Sequence, residues 1–131
     1  MDVIDEQFAA LKERDRYAGA TLTRLPNGTA VVTIPNFPLP PAGWNRASTT
    51  VYFVVPVGYP TARPDTFWTD GDLTLASGAE PQATNRNNDT HGLPDKRNLR
   101  WYSWHPSAWN PNRDNLLNYV GVIDRRLRDP R

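Results

Sequence analysis

Nine residues, Trp101-Tyr102-Ser103-Trp104-His105-Pro106-Ser107-Ala108-Trp109, hold three tryptophans, two serines and one of the chain's two histidines. A serine hydroxyl is a weak nucleophile at neutral pH and needs a base beside it. Histidine titrates in the range that suits this task. If residues 101 to 105 are extended, positions two apart point to the same side, which sets Ser103 and His105 together. Ser107 is the weaker rival, because Pro106 redirects the chain and carries Ser107 toward the next helix. Trp101, Trp104 and Trp109 are costly to leave in water and read as packing groups rather than chemistry. His91 lies in a polar loop and reads as solvent-exposed, its functional alternative being a second acid or base closing over the site.

Other chemistries find little to work with. The chain has no cysteine, which removes disulfides, thiolate metal sites and thiol nucleophiles together and gives no sign of an oxidising compartment. Two histidines with scattered aspartates match no standard metal-ligand spacing. Gly71 and Gly78 stand alone, so no glycine-rich phosphate loop is expected, and no cofactor. Fifteen basic and 14 acidic side chains nearly cancel at net +1, which argues against a nucleic-acid surface. The distant exception is stacking of single strands on exposed tryptophans beside Arg97 and Arg100. Asp2, Asp5 and Glu6 at the N-terminus do not make a signal peptide, and no apolar run is long enough for a bilayer. A soluble, cytoplasmic protein without membrane attachment is the expectation.

The elements that must hold the nine residues can be read along the chain. With 131 residues, one domain over 1–131 is expected. Ile4, Phe8 and Leu11 recur at helical spacing, which predicts an amphipathic helix over residues 3 to 16 with Asp2 at its N-terminus. Strands are expected around Thr21–Thr23 and Ala30–Ile34, joined by a hairpin at Asn27-Gly28. Pro35 to Pro41 holds four prolines and reads as a rigid connection that cannot continue a central strand. Thr49 to Val57 is the most apolar run and reads as a buried central strand. Thr66 to Thr69 supplies a short fourth strand. Residues 76 to 100 lose all periodicity, as a long functional or irregular loop does. Leu116, Val120, Ile123 and Leu127 then predict a helix over about 112–128, capped by Asn112 or Asp114. The Asn27-Gly28-Thr29 and Asn88-Asp89-Thr90 sequons read as chance matches. The resulting class is α+β, in the order helix, four antiparallel strands, long irregular segment and helix, with the helices against one sheet.

Two short motifs carry a resemblance. After the central strand comes Gly58-Tyr59-Pro60-Thr61-Ala62-Arg63-Pro64. It resembles the Tyr-Pro-x-x-x-Pro corner that closes the third strand of ubiquitin-conjugating enzymes and of their non-catalytic RWD relatives. Its physical basis is local, since two prolines fix φ and a tyrosine packs under the turn. Trp109-Asn110-Pro111 resembles the tryptophan-x-proline before the second long helix of those enzymes. The whole pattern is most similar to prokaryotic family E of the superfamily, in element order over roughly residues 3 to 128. About 20 residues carry motif-level support.

The resemblance implies a UBC-like fold, with the long irregular segment as the active-site segment. It also implies a ubiquitin-like protein, its activating enzyme and a JAB-type peptidase as pathway partners. Two departures matter. The histidine-proline-asparagine motif does not occur after Trp68, and the window Leu99 to Ala108, where the superfamily keeps its cysteine, has none. An ordinary thioester is therefore ruled out. Ser103 sits closest to the vacant position, and with His105 as base it would hold the ubiquitin-like C-terminus as an oxyester. The alternative is a non-catalytic UBC/RWD-like module that docks a ubiquitin-like protein or its activating enzyme. In that case the tryptophans are core, and the first helix or the Tyr59-Pro60 corner is the contact surface.

Overall fold

A computed structural model describes residues 2–86, 93 and 98–131. Helix α1 (Val3–Lys12) opens the chain, and the Asp2 side chain accepts the Asp5 amide as its N-cap. The helix stops at Lys12 rather than at residue 16, and a short 3-10 turn over Asp15–Tyr17 takes the chain to the sheet. Strands β1 (Thr21–Arg24) and β2 (Ala30–Pro38) form the expected hairpin. The turn runs through Pro26-Asn27-Gly28, and of its residues Gly28 takes the positive φ, at 90°. The Leu25 carbonyl accepts the Gly28 amide, and the Asn27 side chain accepts both the amide and the hydroxyl of Thr29. This is the three-residue type I turn closed by a left-handed glycine.

Strand β2 continues through Pro35, against the expectation that the proline run would end it. Its pairing with β3 (Ser48–Val55) shifts register between Ile34 and Phe37, and Asn36 adopts φ 55°. A bulge at that point leaves the missing Pro35 amide outside the ladder.

The sheet has six strands, not four. After β4 (Phe67–Asp70) come β5 (Thr84–Arg86) and β6 (Leu99–Tyr102), and the spatial order is β1-β2-β3-β4-β6-β5, antiparallel throughout. Part of the expected irregular segment is thus sheet. Strand β6 escapes a sequence reading because Arg100 interrupts its apolar run. The Arg100 side chain is 1% exposed. Its Nε donates to the Leu73 carbonyl at 2.8 Å, and its Nη1 reaches the Glu80 carboxylate. These partners offset the cost of burying the cation.

Both sheet faces are apolar. Val32, Ile34, Val51, Phe53, Phe67 and Tyr102 face the helices, where Leu11 of α1 and Leu116, Tyr119, Val120, Ile123 and Leu127 of α2 (Leu116–Leu127) complete the main core. The alternate residues Val31, Trp68 and Leu99 form a second cluster with Leu93, flanked by Tyr52, Val54 and Trp101. Helix α2 starts four residues later than expected. Asn115 is its N-cap, in a reciprocal capping box with Asn118, while Asn110 to Asp114 form a separate turn closed by the Asn110 carbonyl. Among the described residues no helix is long and apolar enough to cross a membrane.

Candidate functional site

The nine residues straddle the end of β6 and the approach to α2. Trp101 and Tyr102 belong to β6, opposite Trp68 and Phe67 of β4. The Phe67 and Tyr102 rings stack at 4.4 Å. Pairing extends one residue further, with the Ser103 amide donating to the Ala83 carbonyl at 2.9 Å. There the extended run ends, because the Trp104 amide turns back to the Tyr102 carbonyl at 3.0 Å. Tyr102 is buried, Ser103 exposed, Trp104 half-buried and His105 exposed. Ser103 and His105 therefore both reach solvent, and no hydrogen bond joins them among the described residues.

Trp104 is held from three sides. Its ring lies 5.2 Å from the guanidinium of Arg126 on α2 and 5.4 Å from that of Arg131. Its carbonyl faces the Tyr119 hydroxyl at 3.4 Å. Arg126 is 2% exposed and also faces the rings of Tyr102 and Trp44. It donates to the carbonyls of Asp129, Gln82 and Arg131, each at 3.0 Å. No Asp or Glu side chain pairs with it among the described residues; burial lowers its pKa, and the aromatic faces help to stabilise its charge. Burial likewise pushes the Tyr119 phenol up, so Tyr119 acts as a neutral donor.

Trp109 ties the segment to the Tyr-Pro corner. Its indole Nε1 donates to the Pro60 carbonyl at 2.8 Å, and its ring lies 6.0 Å from that of Tyr59. The Tyr59–Pro60 bond is cis. The Tyr59 hydroxyl reaches the Gln7 side chain of α1, whose same oxygen accepts the Leu116 amide at the start of α2. The corner, both helices and the tryptophan segment are thereby joined.

With β4 and β6 paired up to Phe67 and Tyr102, His105 comes opposite Asp65. His105 Nδ1 lies 3.5 Å from Asp65 Oδ1. The same carboxylate oxygen accepts a 2.6 Å hydrogen bond from Arg63. The sequence carries no sign of this pairing, since nothing in the spacing of Asp65 links it to a histidine 40 positions away. Its one local signal is its place directly after the Tyr-Pro corner.

Beside the segment runs an open groove of about 590 Å³ between residues 104–109 and α2. His105, Ser107, Leu117 and Val122 are among its walls, and Ser103 is not. Ser107 is exposed and makes no side-chain hydrogen bond among the described residues. His91 and Arg97 lie outside the described residues. Arg100 is buried among carbonyls, so it is not the exposed cation that a single-strand-binding surface needs. No group of three metal-ligating side chains forms among the described residues.

A model of prokaryotic E2 family E matches residues 10–129. No curated protein and no solved structure gives a significant match.

Proposed function

The chain belongs to prokaryotic E2 family E, and from that premise we propose that it carries a ubiquitin-like protein as an oxyester on Ser103, within a UBC-like fold. The family gives the ubiquitin-conjugating-like theme; the serine ester is our reading of this chain. The observation that carries it is the joint exposure of Ser103 and His105 on the segment between β6 and the Trp109-Asn110-Pro111 turn, in a chain without cysteine.

The step is an acyl transfer. Ser103 Oγ attacks the carbonyl carbon of a ubiquitin-like C-terminus held as a thioester on the activating enzyme. Its proton passes to His105, the new C–O bond forms, and the C–S bond breaks. The departing thiolate takes the proton, so a thiol and an ester remain. The test uses the activating enzyme, its ubiquitin-like protein and ATP. We expect an adduct that survives thiol reductants and is cleaved by hydroxylamine, and that is absent from Ser103→Ala. An alanine variant that still forms the adduct removes Ser103 from the mechanism.

A second reading has its own support, since Ser103 and His105 are not hydrogen-bonded to each other. In it the protein docks a ubiquitin-like protein or its activating enzyme without covalent chemistry. It predicts a reversible complex and no ester under any condition.

A further inference from the structure

We propose that Asp65 is the positioning residue of His105: its carboxylate fixes the imidazole with the proton on Nδ1, leaving Nε2 as the nitrogen that accepts a proton. The inference rests on the reading of Ser103 as acyl acceptor and His105 as its base.

Three observations carry it. Asp65 Oδ1 is the carboxylate oxygen facing Nδ1, at 3.5 Å. This is an ion-pair distance rather than a hydrogen bond; a carboxylate can only accept, so a hydrogen on Nδ1 is the one that can close the contact. The carboxylate has a second partner, because Arg63 donates to the same oxygen at 2.6 Å, and the Asp65 backbone lies between buried Pro64 and buried Thr66. Finally, the partner segment is anchored to the same corner through the Trp109 indole and the Pro60 carbonyl. Asp65 and His105 therefore face each other across a joined pair of segments rather than between two free loops.

During transfer the Ser103 proton moves to Nε2, giving an imidazolium whose Nδ1–H charge faces Asp65. That proton then leaves on the departing thiolate, and the imidazole returns to its starting tautomer. Asp65 touches neither the acyl group nor the serine; it acts through His105.

The tautomer can be read in the resting protein. Long-range proton–nitrogen spectra of the full chain, recorded at a pH where the imidazole is neutral, report which ring nitrogen carries hydrogen. His91→Gln assigns the two histidines. We expect Nδ1–H for His105, unchanged in Ser103→Ala and lost as a preference in Asp65→Ala. Asp65→Ala should also slow ester formation about fivefold at saturating donor, the upper range for a solvent-exposed pair, with KM unchanged. His105 protonated on Nε2, or the same tautomer with and without Asp65, overturns the inference. An adduct persisting in Ser103→Ala overturns the serine assignment instead, and the spectra still decide the role of Asp65.

Discussion

Across 49 residues of chain, the Trp109 indole donates to the Pro60 carbonyl at 2.8 Å. This bond closes the gap between the segment that carries His105 and the corner that carries Asp65. Trp109→Phe keeps most of the ring and deletes the donor, leaving the Pro60 carbonyl without it. Urea unfolding should show a loss of about 1–2 kcal/mol. An unchanged midpoint would mean that water replaces the indole at no cost.

Ser103 is exposed, and its side chain makes no hydrogen bond among the described residues. Ser103→Ala should unfold within about 0.5 kcal/mol of the parent chain. Loss of an adduct in that variant then reports chemistry rather than misfolding. A drop of several kcal/mol in thermal or urea unfolding would break that inference.

Glu80 gives a stability term with a definite sign. The hydrogen bond from buried Arg100 lowers its carboxyl below the ordinary value of 4.5. The folded state thus holds this proton less tightly than the unfolded one. The stabilisation is complete above that ordinary value and is lost as pH falls through the lowered one. Asp2, paired with Arg24, and Asp114, which accepts the Asn110 amide, titrate in the same direction. The measurement is therefore a difference. Urea midpoints of Glu80→Gln should fall less steeply than those of the parent on acidification, and parallel curves would exclude the Arg100 pair as a contributor.

Gly71 lies against the backbone of Asn98, whose carbonyl accepts its amide at 2.7 Å. A Cβ at position 71 would collide with that carbonyl, and backbone cannot rotate away as a side-chain tip can. Gly71→Ala should cost about 3 kcal/mol, toward the top of the usual overpacking range. Gly78→Ala meets no atom within 4 Å but stands at φ 89°, so its cost should be about 1 kcal/mol from backbone strain alone. Comparable losses at the two sites would argue against the close approach at Gly71.

The parts legible in the sequence are those whose signal is local. Asp2 caps α1, the Pro26-Asn27-Gly28 turn makes its hairpin, and the apolar stretch Val51 to Val55 is the central strand. The missed parts depend on partners far away in the chain. Strand β6 is hidden in the sequence because Arg100 interrupts its apolar run, yet the carbonyls of Leu73 and Gly71 and the Glu80 carboxylate receive that side chain. Thr84–Arg86 is too short and polar to declare itself as an edge strand. The start of α2 was displaced because Asn112 and Asp114 are good capping residues by type, whereas the capping box forms at Asn115 and Asn118. Ser103 and His105 are visible as residue types in a suggestive spacing. Asp65 is not, because it comes near only through the pairing of β4 with β6 and the Trp109–Pro60 tie, both between residues far apart in the chain.

The two apolar faces of the sheet divide the five indoles between them. Trp68 and Trp101 belong to the cluster with Leu93, and Trp44, Trp104 and Trp109 to the helix side. The molecule thus carries separate optical reporters for its two sides. Replacing either group with phenylalanine would leave emission that follows one side alone, so loosening of the outer layer could be timed independently of loosening around the helices.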